Sequence, residues 1–162
     1  MNVYFDTLKT PVGDFSIAVD DADTVLATAF GADTALWARL KSGTAKPVRD
    51  TVKTAAARSQ VFAYFAGDRC SFDLSLAPAG TPFQLRVWQA LQKIPFGQTC
   101  SYAALAKTLK SGARAIGRAN ATNPICLIVP CHRVIGADGS LTGFAFGENV
   151  KRQLLQHEGA IE

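Results

Sequence analysis

The 162-residue chain is short of several kinds of residue at once. Its only histidines are His132 and His157, and none of its four cysteines (Cys70, Cys100, Cys126, Cys131) stands in a CxxC pair. A structural zinc site draws four thiolate or imidazole ligands from close spacings, so no metal is expected. No run approaches the roughly 18 consecutive apolar residues of a membrane span, and the opening MNVYFDTLKTP has no long apolar stretch after a basic one. Neither membrane insertion nor export is therefore expected. A disulfide framework is a poor reading without export, which leaves reduced thiols and a cytoplasmic setting. Acidic charge is the most telling shortage. Between Asp73 and Asp138 there is no Asp or Glu, while Arg86, Lys93, Lys107, Lys110, Arg114, Arg118 and Arg133 lie in that interval.

The charge that is present is therefore unevenly placed. Residues 1–80 carry 8 Lys/Arg against 9 Asp/Glu, a net −1, and residues 81–162 carry 9 against 4, a net +5. A field of one sign over the second half favours a polyanionic partner. Hydrophobic residues at 48% and charged residues at 19% describe a folded globular chain, neither disordered nor fibrous.

Short β-branched and aromatic runs, VYFDTL, FSIAVD and TVLATAF, are separated by the turn compositions TPVGD and DDAD. They predict an antiparallel meander. DTALWARLKSG then places Leu36, Trp37 and Leu40 on one helical face, and TVKTAAARSQVFAYFAG groups Val61, Phe62 and Phe65. Charge and periodicity both change between Cys70 and Gly80, so the expected division is an α/β domain over 1–76 and a mainly helical one over 77–162. In the second, Thr81, Pro82 and Gln84 have the capping-box arrangement, with Phe83, Val87, Trp88 and Leu91 as the buried stripe. Two short helices follow, split by Lys110 to Gly112. Leu105 and Leu109 anchor the first, while Ala115, Ile116 and Ala119 face inward from the second, with Arg114 and Arg118 on its other side. A helix of small residues flanked by arginines suits close approach to a DNA groove; it equally suits a tightly packed internal helix.

The PCHRV segment carries the chemistry. Cys131 reads either as a small buried hydrophobe or as a nucleophile beside its base. In the final helix Val150, Leu154 and Glu158 recur every four residues, which puts a carboxylate on the apolar face. A buried carboxylate needs a partner, and His132, Arg133 or nearby backbone are the candidates; fraying of the helix just before Gly159 would instead leave it in water. With His132 as partner the three residues form a Cys-His-Glu relay, in which the carboxylate orients the imidazole and the imidazole draws the thiol proton.

The stretch IVPCHRVIGADGSLTGF, taken with PFGQTCSYAALA, ARAIGRANATNP and the closing KRQLLQHEG, resembles the O6-alkylguanine-DNA alkyltransferases, also called methylated-DNA-protein-cysteine methyltransferases. The resemblance spans nearly the whole chain. It implies a ribonuclease H-like amino-terminal domain with a small antiparallel sheet, and a helical carboxy-terminal domain containing a helix-turn-helix. It also implies irreversible transfer of an alkyl group from O6 of guanine, or O4 of thymine, to Cys131, without a cofactor, on double-stranded DNA, by a monomer. Residue by residue, it makes His132 the base acting through a water, Glu158 its carboxylate, and Asn123 the tie beneath the turn. Tyr102 would be the proton donor to N3, and Arg114 the finger that enters the duplex. Ala115, Arg118, Ala119 and Arg133 would also face DNA, with Cys126, Val134, Phe144, Ala145 and Phe146 lining the base pocket. Main-chain groups of Cys131, Val134 and Ala145 would read the base.

Two rivals share parts of the pattern. A cysteine hydrolase or acyltransferase would also use Cys131 and His132, and a damage-binding module would use the basic helix without the thiol. This chain also departs from the family. The interval from Tyr102 to Arg114 is about two residues short, Phe144 fills a position often held by tyrosine, and FAFG puts Phe146 where a glycine is common. These differences imply a tighter, more apolar pocket.

Overall fold

The computed structural model describes residues 2–41 and 43–162, and the chain divides into two compact units, 1–79 with 124–128, and 80–123 with 129–162. In the first unit, β1 (Tyr4–Thr10), β2 (Gly13–Val19) and β3 (Val25–Phe30) form the expected antiparallel meander. Pro11 and Val12 make the first turn, closed by a Thr10 Oγ1 bond to the Gly13 carbonyl at 2.6 Å. From Phe15 to Val19 every residue of β2 is buried, so this strand has both faces covered. Ser16 is tolerated there because its hydroxyl donates to the Gly31 carbonyl (2.8 Å) and meets Thr7 Oγ1 (2.8 Å).

After α1 (Asp33–Trp37), β4 (Val48–Arg49) pairs parallel to β1, giving a mixed sheet in the order β3-β2-β1-β4. The periodicity of 33–43 predicted a longer helix; the regular element ends at Trp37, whose ring stands edge-on to Phe5 at 4.8 Å. On α2 (Ala55–Phe65) the buried residues are Ala57, Val61 and Tyr64, an i, i+4, i+7 face. Phe62, expected in that stripe, lies one residue round the helix and is exposed.

The strip 124–128 joins the first unit through β3. Thr28 N–H donates to the Pro124 carbonyl and Thr28 Oγ1 to the Cys126 carbonyl, both at 2.8 Å. These bonds make the strip part of the first unit, whereas a contiguous division at residue 76 leaves it in the second.

In the second unit α3 (Pro82–Leu91) starts on the capping box. Thr81 Oγ1 accepts from Gln84 N–H (3.2 Å) and Gln84 Oε1 accepts from Thr81 N–H (2.9 Å). Val87, Trp88 and Leu91 are its buried residues. The chain then runs through β5 (Cys100–Ser101) into α4 (Tyr102–Leu109) and α5 (Ala113–Ala121), which form the helix-turn-helix. Ser101 caps α4 by accepting from Ala104 N–H at 3.0 Å, and Lys110 ends it in the left-handed region at φ 54°, where glycine is more usual. Trp88 Nε1 donates to the Ala119 carbonyl (2.8 Å), locking α5 onto α3. The short strand β6 (Val134–Ile135) pairs parallel to β5, and α6 (Glu148–His157) closes the unit. The β5–β6 pairing holds the start of α4 beside the segment that follows Cys131.

Removing the Thr81 hydroxyl deprives α3 of one half of its reciprocal cap. Thr81→Ala is expected to lower unfolding free energy by about 1 kcal/mol in urea titrations followed by tryptophan fluorescence. An unchanged midpoint would mean that solvent satisfies the first turn equally well.

Candidate active site

The nucleophile's position begins with Pro130. Its φ of −80° and ψ of 66° are those of an inverse γ-turn, and the proline ring fixes that φ in advance. Across the turn Cys131 N–H donates to the Val129 carbonyl at 2.8 Å, and Asn123 Nδ2 donates to the same carbonyl at 2.9 Å. The Cys131 carbonyl in turn accepts from Asn120 Nδ2 at 3.2 Å. Cys131 then opens a single 3-10 turn, Cys131–Arg133, and is 4% exposed.

The other two residues of that turn converge on the end of α6. Glu158 Oε2 accepts from His132 Nε2 (2.8 Å) and Arg133 Nη2 (2.9 Å), and Oε1 accepts from Arg133 Nε (2.8 Å). Arg133 Nη1 completes the set on the Ile94 carbonyl at 2.7 Å. A fully buried carboxylate is thus matched by a two-pronged guanidinium, the geometry that makes such a pair strong. Burial holds the His132 imidazole below its ordinary range, with Arg133 and Lys151 pushing the same way against the hydrogen bond and charge of Glu158. The ring is therefore neutral at pH 7. Since Glu158 accepts at Nε2, that nitrogen carries the hydrogen and the Nδ1 lone pair is free. Nδ1 is buried and has no hydrogen-bond partner among the described residues.

A second cluster surrounds Tyr102, the first residue of α4. Its hydroxyl donates to the Thr142 carbonyl at 3.0 Å. A Cβ on Gly143 would sit 2.6 Å from that hydroxyl, and Gly143 has φ 85°, so both contact and conformation demand glycine there. Lys151 of α6 is fully buried, donates to the carbonyls of Val134 and Thr142 (3.3 Å to the latter), and holds its ammonium 5.6 Å from the Tyr102 ring centroid. Burial pulls its pKa down to about 8, against the opposing charge of Cys131. Phe144 is buried and Phe146 half-buried, their rings edge-to-face at 5.6 Å, while Ala145 between them is exposed.

On α5 Arg114 and Arg118 are exposed, and Ala115, Arg118 and Ala119 line a shallow cleft with Thr81, Phe83, Gln84 and Thr122. Ala119 itself is 3% exposed, so it offers a partner little more than an absence of bulk. Two expectations are corrected. Arg133, anticipated on the DNA-facing surface, is buried with its guanidinium spent on Glu158 and Ile94, because the carboxylate on α6 needs a counter-charge. Cys126, anticipated in the base pocket, belongs to the first unit, buried with its sulfur 3.4 Å from Thr28 Oγ1. Two further residues of the site were not expected from the sequence, although a helical signal exists for each. Lys151 precedes Leu154 and Leu155 by three and four positions and so shares their buried face, and Asn120 follows Ile116 by four on α5.

Such a cysteine, set beside a neutral histidine oriented by a buried carboxylate, in a unit built round a helix-turn-helix, defines a protein whose thiol acts as a nucleophile. Residues 82–160 match the family model for the 6-O-methylguanine DNA methyltransferase DNA binding domain. The chain is 40% identical over 158 residues to the constitutive methylated-DNA–protein-cysteine methyltransferase of Bacillus subtilis, covering 96% of this chain and 94% of that one. It is 54% identical over 106 residues to the methylated-DNA–protein-cysteine methyltransferase of Methanosarcina acetivorans, covering 64% and 68%. Among solved structures it is similar to that of Mycobacterium tuberculosis OGT in complex with DNA, at 38% identity and TM-score 0.85, covering 97% of this chain and 93% of that one. The chain belongs to the methylated-DNA–protein-cysteine methyltransferase family.

Replacing Glu158 by glutamine keeps the shape but leaves the Arg133 charge buried without a counter-charge. Glu158→Gln is expected to cost about 3–5 kcal/mol of stability, the usual penalty for removing one partner of a buried pair. Calorimetry showing an unaltered melting temperature would mean that Arg133 is free to reach solvent.

Proposed function

We propose that this protein reverses alkylation damage directly, with Cys131 taking the alkyl group from O6 of guanine in DNA and restoring the base. The observation that carries the residue assignment is His132: neutral, held through Nε2 by Glu158, with a buried and unpartnered Nδ1 one residue from the thiol. In this reading the Cys131 S–H proton passes through a water to His132 Nδ1. The thiolate electron pair then forms a C–S bond to the alkyl carbon as the C–O6 bond breaks, with its pair retained by the base. Tyr102 O–H quenches that charge by protonating N3, and the resulting phenolate recovers its proton from solvent. The thiolate supplies every electron the transfer needs, so no cofactor takes part. A thioether has no easy route back to a thiol, so each molecule acts once. O4-alkylthymine presents the same alkyl–oxygen bond and falls within the proposal.

The alkyl carbon is out of reach inside a duplex, so the damaged nucleotide must rotate out. Arg114, exposed in the first turn of α5, would fill the vacated stack from the minor groove; Arg118 and the helix N-terminus would offer positive ends to phosphates. Carbonyls of Cys131 and Val134 and the Ala145 N–H would read the base edge. Phe146 beside Phe144 would make the pocket rim tight for large adducts. We infer a monomer acting in the cytoplasm, where its four thiols, none of them in a disulfide, stay reduced.

Intact-mass spectrometry after incubation with duplex DNA containing O6-methylguanine is expected to show one added methyl per molecule, mapped to Cys131 and absent from Cys131→Ser. Methyl on another cysteine, or many lesions cleared per molecule, would overturn the assignment. In the same assay Arg114→Ala is expected to transfer from duplex at least about tenfold more slowly while reacting normally with free O6-methylguanine base. Equal losses on both substrates would remove the finger role.

A further inference from the structure

Among the described residues, positive φ angles fall mostly on glycine, at nine positions, but Leu127 has one too, at 71°. The other two non-glycine cases, Asp23 and Lys110, are exposed, whereas Leu127 is buried at 1% exposure. Ile128 N–H donates to the Cys126 carbonyl at 2.9 Å, which makes Leu127 the centre of a three-residue turn. With a positive φ this is the rarer and strained hand of γ-turn, in which a β-carbon crowds the neighbouring carbonyl oxygen. Three positions on, Pro130 makes the γ-turn of ordinary hand that presents Cys131. The two turns are fastened alike. The Cys126 carbonyl accepts from Ile128 N–H and from Thr28 Oγ1 (2.8 Å), and the Val129 carbonyl accepts from Cys131 N–H and from Asn123 Nδ2 (2.9 Å). Only Ile128 and Val129 separate the two turn centres.

We infer that Leu127 is a positioning residue for Cys131, and that the Thr28 hydroxyl fastens its turn as Asn123 fastens the one at Pro130. The inference rests on the acceptor role proposed above for Cys131. A strained turn persists only where its surroundings over-determine it, and here those surroundings are the buried leucine side chain and the Thr28 bond. Glycine would make the same turn without strain, but it would leave that turn as easily. A leucine anchored in the core holds one direction. The proline ring fixes φ at residue 130, so the two residues between the turns have little slack to absorb an error before it reaches the thiol. Attack on the alkyl carbon needs the sulfur aligned and about 3–3.5 Å away, and a misplacement of about 1 Å slows such a step greatly. The way the protein holds DNA would be unaffected.

Positioning can be separated from packing because it makes stability and rate move in opposite directions. Leu127→Ala keeps a β-carbon at the strained φ and Leu127→Gly removes it, while both lose the buried isobutyl group. The glycine variant is expected to melt about 2–4 °C above the alanine variant. It should nevertheless transfer from duplex O6-methylguanine at least about fivefold more slowly than the alanine variant at saturating DNA, with the half-saturating DNA concentration unchanged within about twofold. Thr28→Val removes the hydroxyl at nearly constant volume and should lower the same limiting rate at least about threefold, while Thr28→Ser should restore it to within about twofold of wild type. A glycine variant no more stable than the alanine one would overturn the inference, by showing that the turn is unstrained. Rates that follow melting temperature would also overturn it, as would a loss confined to half-saturation, since a purely structural role produces those. If neither variant at 127 folds, the Thr28 pair decides: equal limiting rates in the valine and serine variants remove the tie. Wild-type protein that takes no methyl on Cys131 defeats the acceptor reading and this inference with it, whereas wild-type transfer with equal rates in the two variants at 127 defeats the inference alone.

Discussion

The second unit depends on one carboxylate. Glu158 ends α6 on the apolar side of the helix, where an ionised group without partners would be intolerable, and it takes three hydrogen bonds, one from His132 and two from Arg133. All three donors come from the single turn that begins with Cys131. The end of the last helix and the nucleophile's turn are therefore one electrostatic object. Such a pair adds little stability over a well-packed apolar alternative, but it has sharply defined geometry, and losing one member strands the other charge. Geometry is what the chemistry needs here, since the same carboxylate sets the tautomer and orientation of the imidazole.

From that anchor the reactive parts are placed by short-range devices. Pro130 closes an inverse γ-turn that presents Cys131, Asn123 ties the turn at Val129, and the β5–β6 pairing brings Tyr102 alongside. Lys151 and Tyr102 both donate to the Thr142 carbonyl, which draws the loop of 140–147 against α4 and α6. Gly143 is the residue that lets the loop come so close. A cation, a phenol and a thiol thus stand close enough to feel one another's charge in a part-buried region, where electrostatic interactions are stronger than in solvent. The shift of Lys151 to about 8 and the opposing influences on Tyr102 are the signs of that crowding.

Much of this was legible along the chain. The meander followed from turn compositions, the cap of α3 from Thr81 and Gln84, and two short helices from the break at Lys110 to Gly112, while the helix-turn-helix came from the family resemblance. Glu158 could be read as a paired group because a carboxylate on an apolar face must have a partner. The partner's identity could not. His132 and Arg133 were both candidates, and the structure uses both, which withdraws Arg133 from the surface.

Local pattern determined which stretches become strands and helices, where α3 begins, and which cysteine carries the reactive surroundings, because those properties arise from neighbours within a few positions. Tertiary structure alone decided the rest. Phe62 faces outward although its spacing grouped it with Val61 and Phe65, since apolar residues are spread all round this helix and the fold buried the face of Ala57, Val61 and Tyr64. Cys126 belongs to the sheet of the first unit, because Thr28, 98 positions away, offers the hydrogen bonds its strip needs. Helical spacing puts Asn120 and Lys151 on buried faces, but only the fold supplies the carbonyls of Cys131 and Thr142 that take their hydrogens. Partners for a buried polar group come from whatever the fold brings within about 3 Å, and no local pattern in the chain encodes that distance.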